Sequence, residues 1–325
     1  MAIVNSSVVL PVEYGREIIR GVVGRSKALE LGRRLPNMIG KTYKLNVLSN
    51  LPVAGWVKNQ ATPSDGQTPN TYPNEIRNKP ISQMAWQGVD LVAEEIAVIV
   101  PVSLNTLRDV EDYGIEIVPE LQEQVVGAFQ EVIDATIFFG TNTPWTGFSG
   151  VVAGATTAQA IVSWDGQAGL SFYNAINDAM TLVEESGFVP TAIIGGPALN
   201  GAFRKTITSL GVLAGDQGEI GALPRHIDLT GGWDASGAFA IVGDFRYLVY
   251  SFREEMEMRI LSEATLVDPS TGNVLYNLAQ QDMVAFRFTM RLGAALPNPV
   301  NRVGQDLTEH SAYPFAVITK DNGSN

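Results

Sequence analysis

The residues that could do chemistry are few and poorly placed for it. Paired carboxylates occur at Glu94-Glu95, Glu184-Glu185 and Glu254-Glu255. Neighbouring residues point apart on a strand or a helix, so none of these pairs converges on one acid/base site. Asp109, Glu111 and Asp112 precede Gly114 and offer oxygen ligands for calcium. They lack the loop spacing and the terminal glutamate of an EF-hand. Gly195-Gly196-Pro197 falls between a predicted strand and a predicted helix, the position of a phosphate-binding turn. It has neither the GxGxxG spacing nor a P-loop lysine, and proline suits a first helical turn, so a structural role is expected. No Gly-x-Ser-x-Gly elbow is present. The chain has no cysteine, which excludes disulfides, thiolate ligands and cysteine nucleophiles. Its two histidines, His226 and His310, are too far apart for an HExxH-type cluster and read as surface or loop residues. No cofactor, metal or catalytic residue is expected.

The elements that would carry these residues are legible in the hydrophobic pattern. Residues 12–31 predict a helix with Ile18, Ile19, Val22 and Val23 as its stripe, weakened by Gly15, Gly21 and Gly24. Such a helix needs a partner surface to persist. Strands are predicted over 41–49, where Tyr43, Leu45 and Val47 alternate with polar residues, and over 81–103, with a buried run at 96–100. The stretch between them, through Lys79, is polar and rich in proline and asparagine. It is too poor in apolar residues for a core, and fits two extended strands with a flexible tip. Residues 118–140 predict a long helix, with Pro119 in its first turn, Leu121, Val125, Phe129, Val132, Thr136 and Phe139 along one face, and Gly140 as its stop. A mixed block follows: helices over 170–187 and 197–210, strands over 191–195, 238–244 and 247–250, extended by 256–261. Between its second helix and its later strands, residues 211–235 are rich in glycine and turns. Strand character returns over 274–296, and a short apolar segment lies at 313–318.

Charge is unevenly distributed. Charged residues make up 17% of the chain and apolar ones 45%, against about 25% charged in ordinary soluble domains. This predicts a surface largely covered by partners. The net charge is −12, yet residues 1–44 carry eight Lys/Arg and three acids, and residues 109–203 carry twelve Asp/Glu and no Lys or Arg. An acidic body with a basic arm predicts attraction between arm and body of different subunits. The body lacks the clustered Lys/Arg that a grip on phosphates needs. There is no apolar run long enough to span a bilayer. The opening residues lack the basic region of a signal peptide, so a cytoplasmic site of synthesis is expected.

The order of these parts resembles the Hong Kong 97-type major capsid protein of tailed phages. Val102-Ser103-Leu104-Asn105-Thr106-Leu107-Arg108-Asp109 is similar to the approach to the spine helix in that family. Phe138-Phe139-Gly140-Thr141-Asn142 resembles its exit. Gly187-Phe188-Val189-Pro190 with Ile193, Ile194 and Pro197 resembles the opening of the A-domain, and Gly243-Asp244-Phe245 a later turn of it. Residues 287–293 resemble the strand returning to the P-domain. The resemblance implies an α+β fold with an N-arm at 1–45, an extended E-loop with flanking strands at 46–92, and a P-domain at 93–165 whose spine helix spans about 118–140. It further implies an A-domain at 166–265, P-domain return strands at 266–305 and a C-terminal tail at 306–325.

Function would then be assembly of hexamers and pentamers into an icosahedral head around double-stranded DNA. The expected intersubunit contacts are Arg16, Arg20, Arg25 and Lys27 of the arm, Trp56, Lys58, Arg77 and Lys79 of the E-loop, and Glu116, Glu120, Glu123 and Glu131 of the spine helix. Some relatives join an E-loop lysine to a P-domain asparagine with the help of a glutamate. Asp282 and Thr289 stand at those positions here, so no cross-link is expected. The sequence opens at Met1 and soon reaches the arm, which implies a separate scaffolding protein. A portal, a decoration or cementing protein and weakly held DNA are the other expected partners, with no membrane. An encapsulin-type nanocompartment shell is the alternative on the same fold, and a soluble α/β enzyme the alternative from a different class.

Overall fold

The computed structural model of the protein describes residues 26–52, 54, 82–112, 117–167, 170–205, 219–220, 223–305, 307 and 310–321. Most of the predicted arm helix, Arg16, Arg20 and Arg25, the E-loop tip with Trp56, Lys58, Arg77 and Lys79, and Glu116 lie outside them.

The helices are α1 (Lys27–Leu31), α2 (Leu104–Asp112), α3 (Ile117–Asp134), α4 (Val151–Thr157), α5 (Leu170–Glu185) and α6 (Ala198–Arg204). The strands run from β1 (Arg33–Arg34), β2 (Thr42–Asn50), β3 (Ala85–Val92) and β4 (Glu94–Ser103) through β5 (Ile161–Trp164), β6 (Ala192–Gly195), β7 (Glu219–Ile220) and β8 (Leu223–Ile227). They continue with β9 (Ala240–Gly243), β10 (Val249–Leu261), β11 (Thr265–Val267), β12 (Val274–Asn277), β13 (Met283–Ala295) and β14 (Phe315–Lys320).

Among the described residues these strands form two large sheets and two hairpins. One sheet has the order β1-β10-β13-β4, the other β5-β14-β9-β6-β8-β7, and the hairpins are β2–β3 and β11–β12. The six-stranded sheet is buried on both faces. Ile194, Ile241, Phe315 and Val317 point into a core shared with α3 and the four-stranded sheet, while Ile193, Val242, Ala316 and Ile318 point into a second core with α5 and α6. Burial on both faces is why β6, β9 and β14 read as unbroken apolar runs.

Two boundaries differ from expectation. Residues 249–261, expected in the A-domain block 166–265, form one strand that pairs with β13 in the other sheet. Residues 315–320, expected in a terminal tail, insert between β5 and β9. In both cases pairing with residues remote in sequence overrides chain proximity, and no local pattern encodes that. The calcium candidates Asp109, Glu111 and Asp112 lie in α2, not in a loop.

The spine helix has an irregular end. Its buried stripe follows Val125, Phe129, Ile133 and Ile137 at four-residue steps, which leaves Val132 48% exposed where the sequence pattern placed it inside. After Asp134 the helix widens into a π-turn over Ala135–Phe139 and stops at Gly140, whose φ is +71°. Gly140 and Gly150 lie back to back. A Cβ on Gly140 would stand 2.0 Å from the Ser149 carbonyl oxygen, and one on Gly150 2.5 Å from the Gly140 nitrogen.

Asp134 ties the arm to this helix. Its carboxylate is fully buried and accepts from Ser26 Oγ (2.6 Å), Ala28 N (3.0 Å) and Lys27 N (3.1 Å). A side chain from α3 thus caps the N-terminus of α1, beside the regular N-cap Ser26. Beyond α1 the chain is laid along β10: Arg33 N, Leu35 N and Met38 N donate to the carbonyls of Leu248, Tyr250 and Phe252. Burial, opposed by these three hydrogen bonds and aided by the charge of Asp228, pushes the Asp134 carboxyl up to about 7.

Two outcomes are expected. Gly140→Ala loses about 2 kcal/mol or more of stability, from its left-handed φ and the Ser149 contact, whereas Gly147→Ala, with nothing within 4 Å of its Cβ, changes little. Denaturant midpoints of the two variants check this, and equal midpoints would contradict it. Because the folded Asp134 carboxyl is raised, its contribution is fully present below about pH 4 and is lost as pH rises through about 7. Asp134→Asn removes that slope, so its stability relative to the parent chain rises from pH 4 to pH 8. A constant difference across that range would contradict the assignment.

Candidate assembly surfaces

Four of the five cations in the described part of the basic arm, all but Arg33, pair with acids of their own chain. Lys27 pairs with Glu30 (2.5 Å), Arg34 with Glu255 (3.5 Å), Lys41 with Glu94 (3.2 Å) and Lys44 with Asp90 (3.9 Å). These pairs are largely solvated and contribute about 0–1 kcal/mol each. Lys27 meets the spine helix through its backbone N–H to Asp134, not through its charge. Of the expected spine-helix contacts, Glu123 and Glu131 are exposed, and Glu120 lies in the first turn. Asp134, which makes the buried contact, reads in sequence as one more acid on an acidic helix.

Hairpin β2–β3 packs at its base and is bonded farther out to the 300–302 segment, where Val300 N donates to the Leu48 carbonyl (3.1 Å) and Arg302 to the Pro52 carbonyl (3.0 Å). Leu91 and Ala93 are buried at its base with Met38, Val249 and Ala295, and Val47 is buried farther along β2. Farther out, Met84 and Trp86 are 52% and 64% exposed, and Tyr43, near the base, is exposed as well. A two-stranded ribbon is at best marginally stable in water. Hairpin β11–β12 likewise leaves Val267, Val274, Leu275 and Tyr276 exposed. Both arms therefore present apolar surface beyond the two cores.

The four-stranded sheet has one apolar face and one charged face. Phe286, Phe288, Met290 and Leu292 of β13 are buried against the spine helix. On the other face the register sets Arg291 between Glu95 and Glu254, Thr289 between Ala97 and Glu257, and Arg287 between Ile99 and Arg259. Arg291 donates to Glu254 (3.2 Å), and Arg259 donates to Glu257 (2.7 Å). Asp282, at the expected cross-link position, is exposed at the head of β13 with φ +48°. Thr289, the expected assisting position, lies seven residues on in β13, opposite Glu257.

A groove of about 500 Å³ runs between α3 and β4, with Val132, Pro144 and Trp145 along it and Glu94, Glu95 and Glu131 beside them. The Trp145 indole N–H is buried there without a partner. Among the described residues no three His, Cys, Asp or Glu gather as a metal site would require. His226 is half-buried in β8, where desolvation lowers its pKa. His310, read as a surface or loop residue, lies in a loop but is buried. Gly195 and Gly196 are packing glycines: a Cβ would strike Leu199 and Phe239 at one and the Trp233 ring at the other.

A search of curated proteins finds no match. Solved structures match over almost the whole chain. A protein of Microbacterium phage Oxtober96 is 31% identical, covers 91% of this chain and 91% of its own, and superposes with a TM-score of 0.74. Proteins of Mycobacterium phage Cain and Mycobacterium phage Adephagia are 27% and 26% identical, each with a TM-score of 0.76. They cover 92% and 93% of this chain, and 92% of their own chains. The sequence also matches the phage capsid family over residues 6–300. With its two sheets, spine helix and projecting hairpins, the chain belongs to the phage capsid family and has the Hong Kong 97-type fold.

Proposed function

We propose that this major capsid protein of a phage head builds hexamers and pentamers held by packing and charge alone, without catalysis and without a covalent cross-link. The observation that carries this reading is the exposed apolar surface on hairpin β2–β3 and the residue before β3. Its exposed Trp86 and Met84 call for cover that the same chain does not provide among the described residues. A neighbouring subunit would supply that cover, and the ribbon's open strand edges would gain partners there. The segment with Trp56, Lys58, Arg77 and Lys79 extends this arm over the neighbour. Arg16, Arg20 and Arg25 reach acidic surface on another copy, with Glu116, Glu120, Glu123 and Glu131 of the spine helix as the partner charges. Each such contact is weak, but repetition over a closed shell gives avidity. Glycines near 211–235 would allow one sequence to fit two ring sizes. The matches to phage proteins favour a phage head over an encapsulin-type nanocompartment.

Assembly in the host cytoplasm, a scaffolding protein encoded separately, a portal and a decoration protein complete the proposal. The acidic body would keep packaged DNA weakly held, and tight DNA binding by isolated capsomers would count against this. Negative-stain microscopy of the purified protein is expected to show closed icosahedral particles. Arg16→Glu, Arg20→Glu and Arg25→Glu together should abolish them, and normal shells from the triple variant would refute the arm's role. Purified shells boiled in detergent should run as a single monomer band. A ladder of covalent multimers would show that Asp282 and Thr289 do not prevent cross-linking.

A further inference from the structure

Three parts of the chain meet at the end of the spine helix. α3 brings Asp134, α1 brings Ser26 with the Lys27 and Ala28 amides, and the chain leaving β8 brings Asp228. The loop after β8 lies directly on α3. A Cβ on Gly232 would stand 2.5 Å from the Glu131 carbonyl oxygen and 3.2 Å from the Ala135 nitrogen. Asp134 and Asp228 are 0% and 1% exposed, and the charge of Asp228 acts on the Asp134 carboxyl.

The hydrogen bonds of the two acids are complementary. Asp134 Oδ1 accepts from Ser26 Oγ and Ala28 N, which fills both of its lone pairs. Asp134 Oδ2 accepts from Lys27 N alone among the described residues, so a proton on this carboxyl belongs on Oδ2. Asp228 Oδ1 accepts from Thr230 N (2.8 Å) and Thr230 Oγ1 (2.7 Å). Asp228 Oδ2 is shut off from solvent and has no donor among the described residues. A buried acceptor without a donor is costly, and so are two like charges buried side by side. One proton between them removes both costs.

We infer that protonated Asp134 donates from Oδ2 to Asp228 Oδ2, and that this shared proton is a latch joining the arm, the spine helix and the loop after β8. The other charged groups on these elements are Lys27 and Glu30 of α1, which pair with each other, Glu131 of α3, and His226 of β8, which faces Lys27 and Glu30. Raising the pH passes the Oδ2 proton to water and leaves two buried carboxylates together. Lifting α1 then admits solvent to both. With α1 docked the Asp134 carboxyl sits at about 7, and with α1 lifted it returns towards its ordinary value. Docking is therefore strongest below about pH 4 and weakens as pH rises to about 7, by about tenfold per pH unit, with no further loss above that.

Hydrogen exchange and infrared spectroscopy of the purified protein test the latch. Exchange in the peptide spanning Ser26 to Leu31, divided by that of Asp134→Asn at the same pH, should rise about tenfold per pH unit from about pH 4 and level off near pH 7. The asparagine amide donates to Asp228 at every pH, so the variant stays docked. A ratio that does not change with pH would overturn the latch. In the infrared, the parent should show a protonated-carboxyl band at about pH 6 that disappears near pH 7 and is absent from Asp134→Asn. Its absence from the parent refutes the shared proton without any variant having to fold. Asp228→Asn removes the neighbouring charge and offers an amide donor in its place, so the band should be lost at about pH 6 and the exchange ratio should level off at lower pH. A band and a plateau left where the parent has them would show that Asp228 is not the partner.

Discussion

Everything in this subunit depends on one sheet being buried on both faces. Strands β6, β9 and β14 send alternate side chains into two separate cores, so neither core exists unless the sheet forms. The first core is filled from the opposite side by β13 and by the spine helix. The four-stranded sheet is thereby fixed relative to the six-stranded one. Its second face carries charged side chains, those from β13 half-buried among the described residues, and both hairpins extend from this frame. Burial supplies the rigidity, and the parts that must adapt to neighbours are those excluded from burial.

The N-terminal strap combines both kinds of contact: Ala28, Leu29 and Met38 are buried in the cores, and polar contacts fix its path. Asp134 caps α1 from another helix, and backbone bonds then run along β10 as far as Met38. A buried carboxylate that must lose its proton at neutral pH is a weak point in an otherwise apolar junction. It lies where the spine helix changes from α to π geometry, so the arm and the helix end share one fixed point.

Much of this was legible in the sequence. The spine helix, the α5 helix and the apolar strands announced themselves by period and by their glycine or proline limits. The resemblance to capsid proteins rested on the order of these parts, and the family match agrees with it. What could not be read depends on pairing across the chain. Residues 315–320 look like a tail until β5 and β9 are placed beside them. Arg287 looks like an ordinary strand arginine until the register sets Arg259 opposite it. Asp134 is one acid among many until the fold brings Ser26 to it. Val132 was misplaced because a stripe at four-residue steps drifts around the helix, and only packing decides which neighbour is left outside.

The pairing that hid these features also sets how the subunit comes into being. Arg33 pairs with Val249, and Ile161 with Val317, so both large sheets join stretches that are far apart along the chain. Loop closure must precede the gain from such contacts, and folds dominated by them form slowly. Until the sheets close, the hairpins and open strand edges are available to any other half-made copy, the condition under which chains aggregate. The supply of fully folded subunits, more than the strength of contacts between them, would then govern when a shell begins to grow.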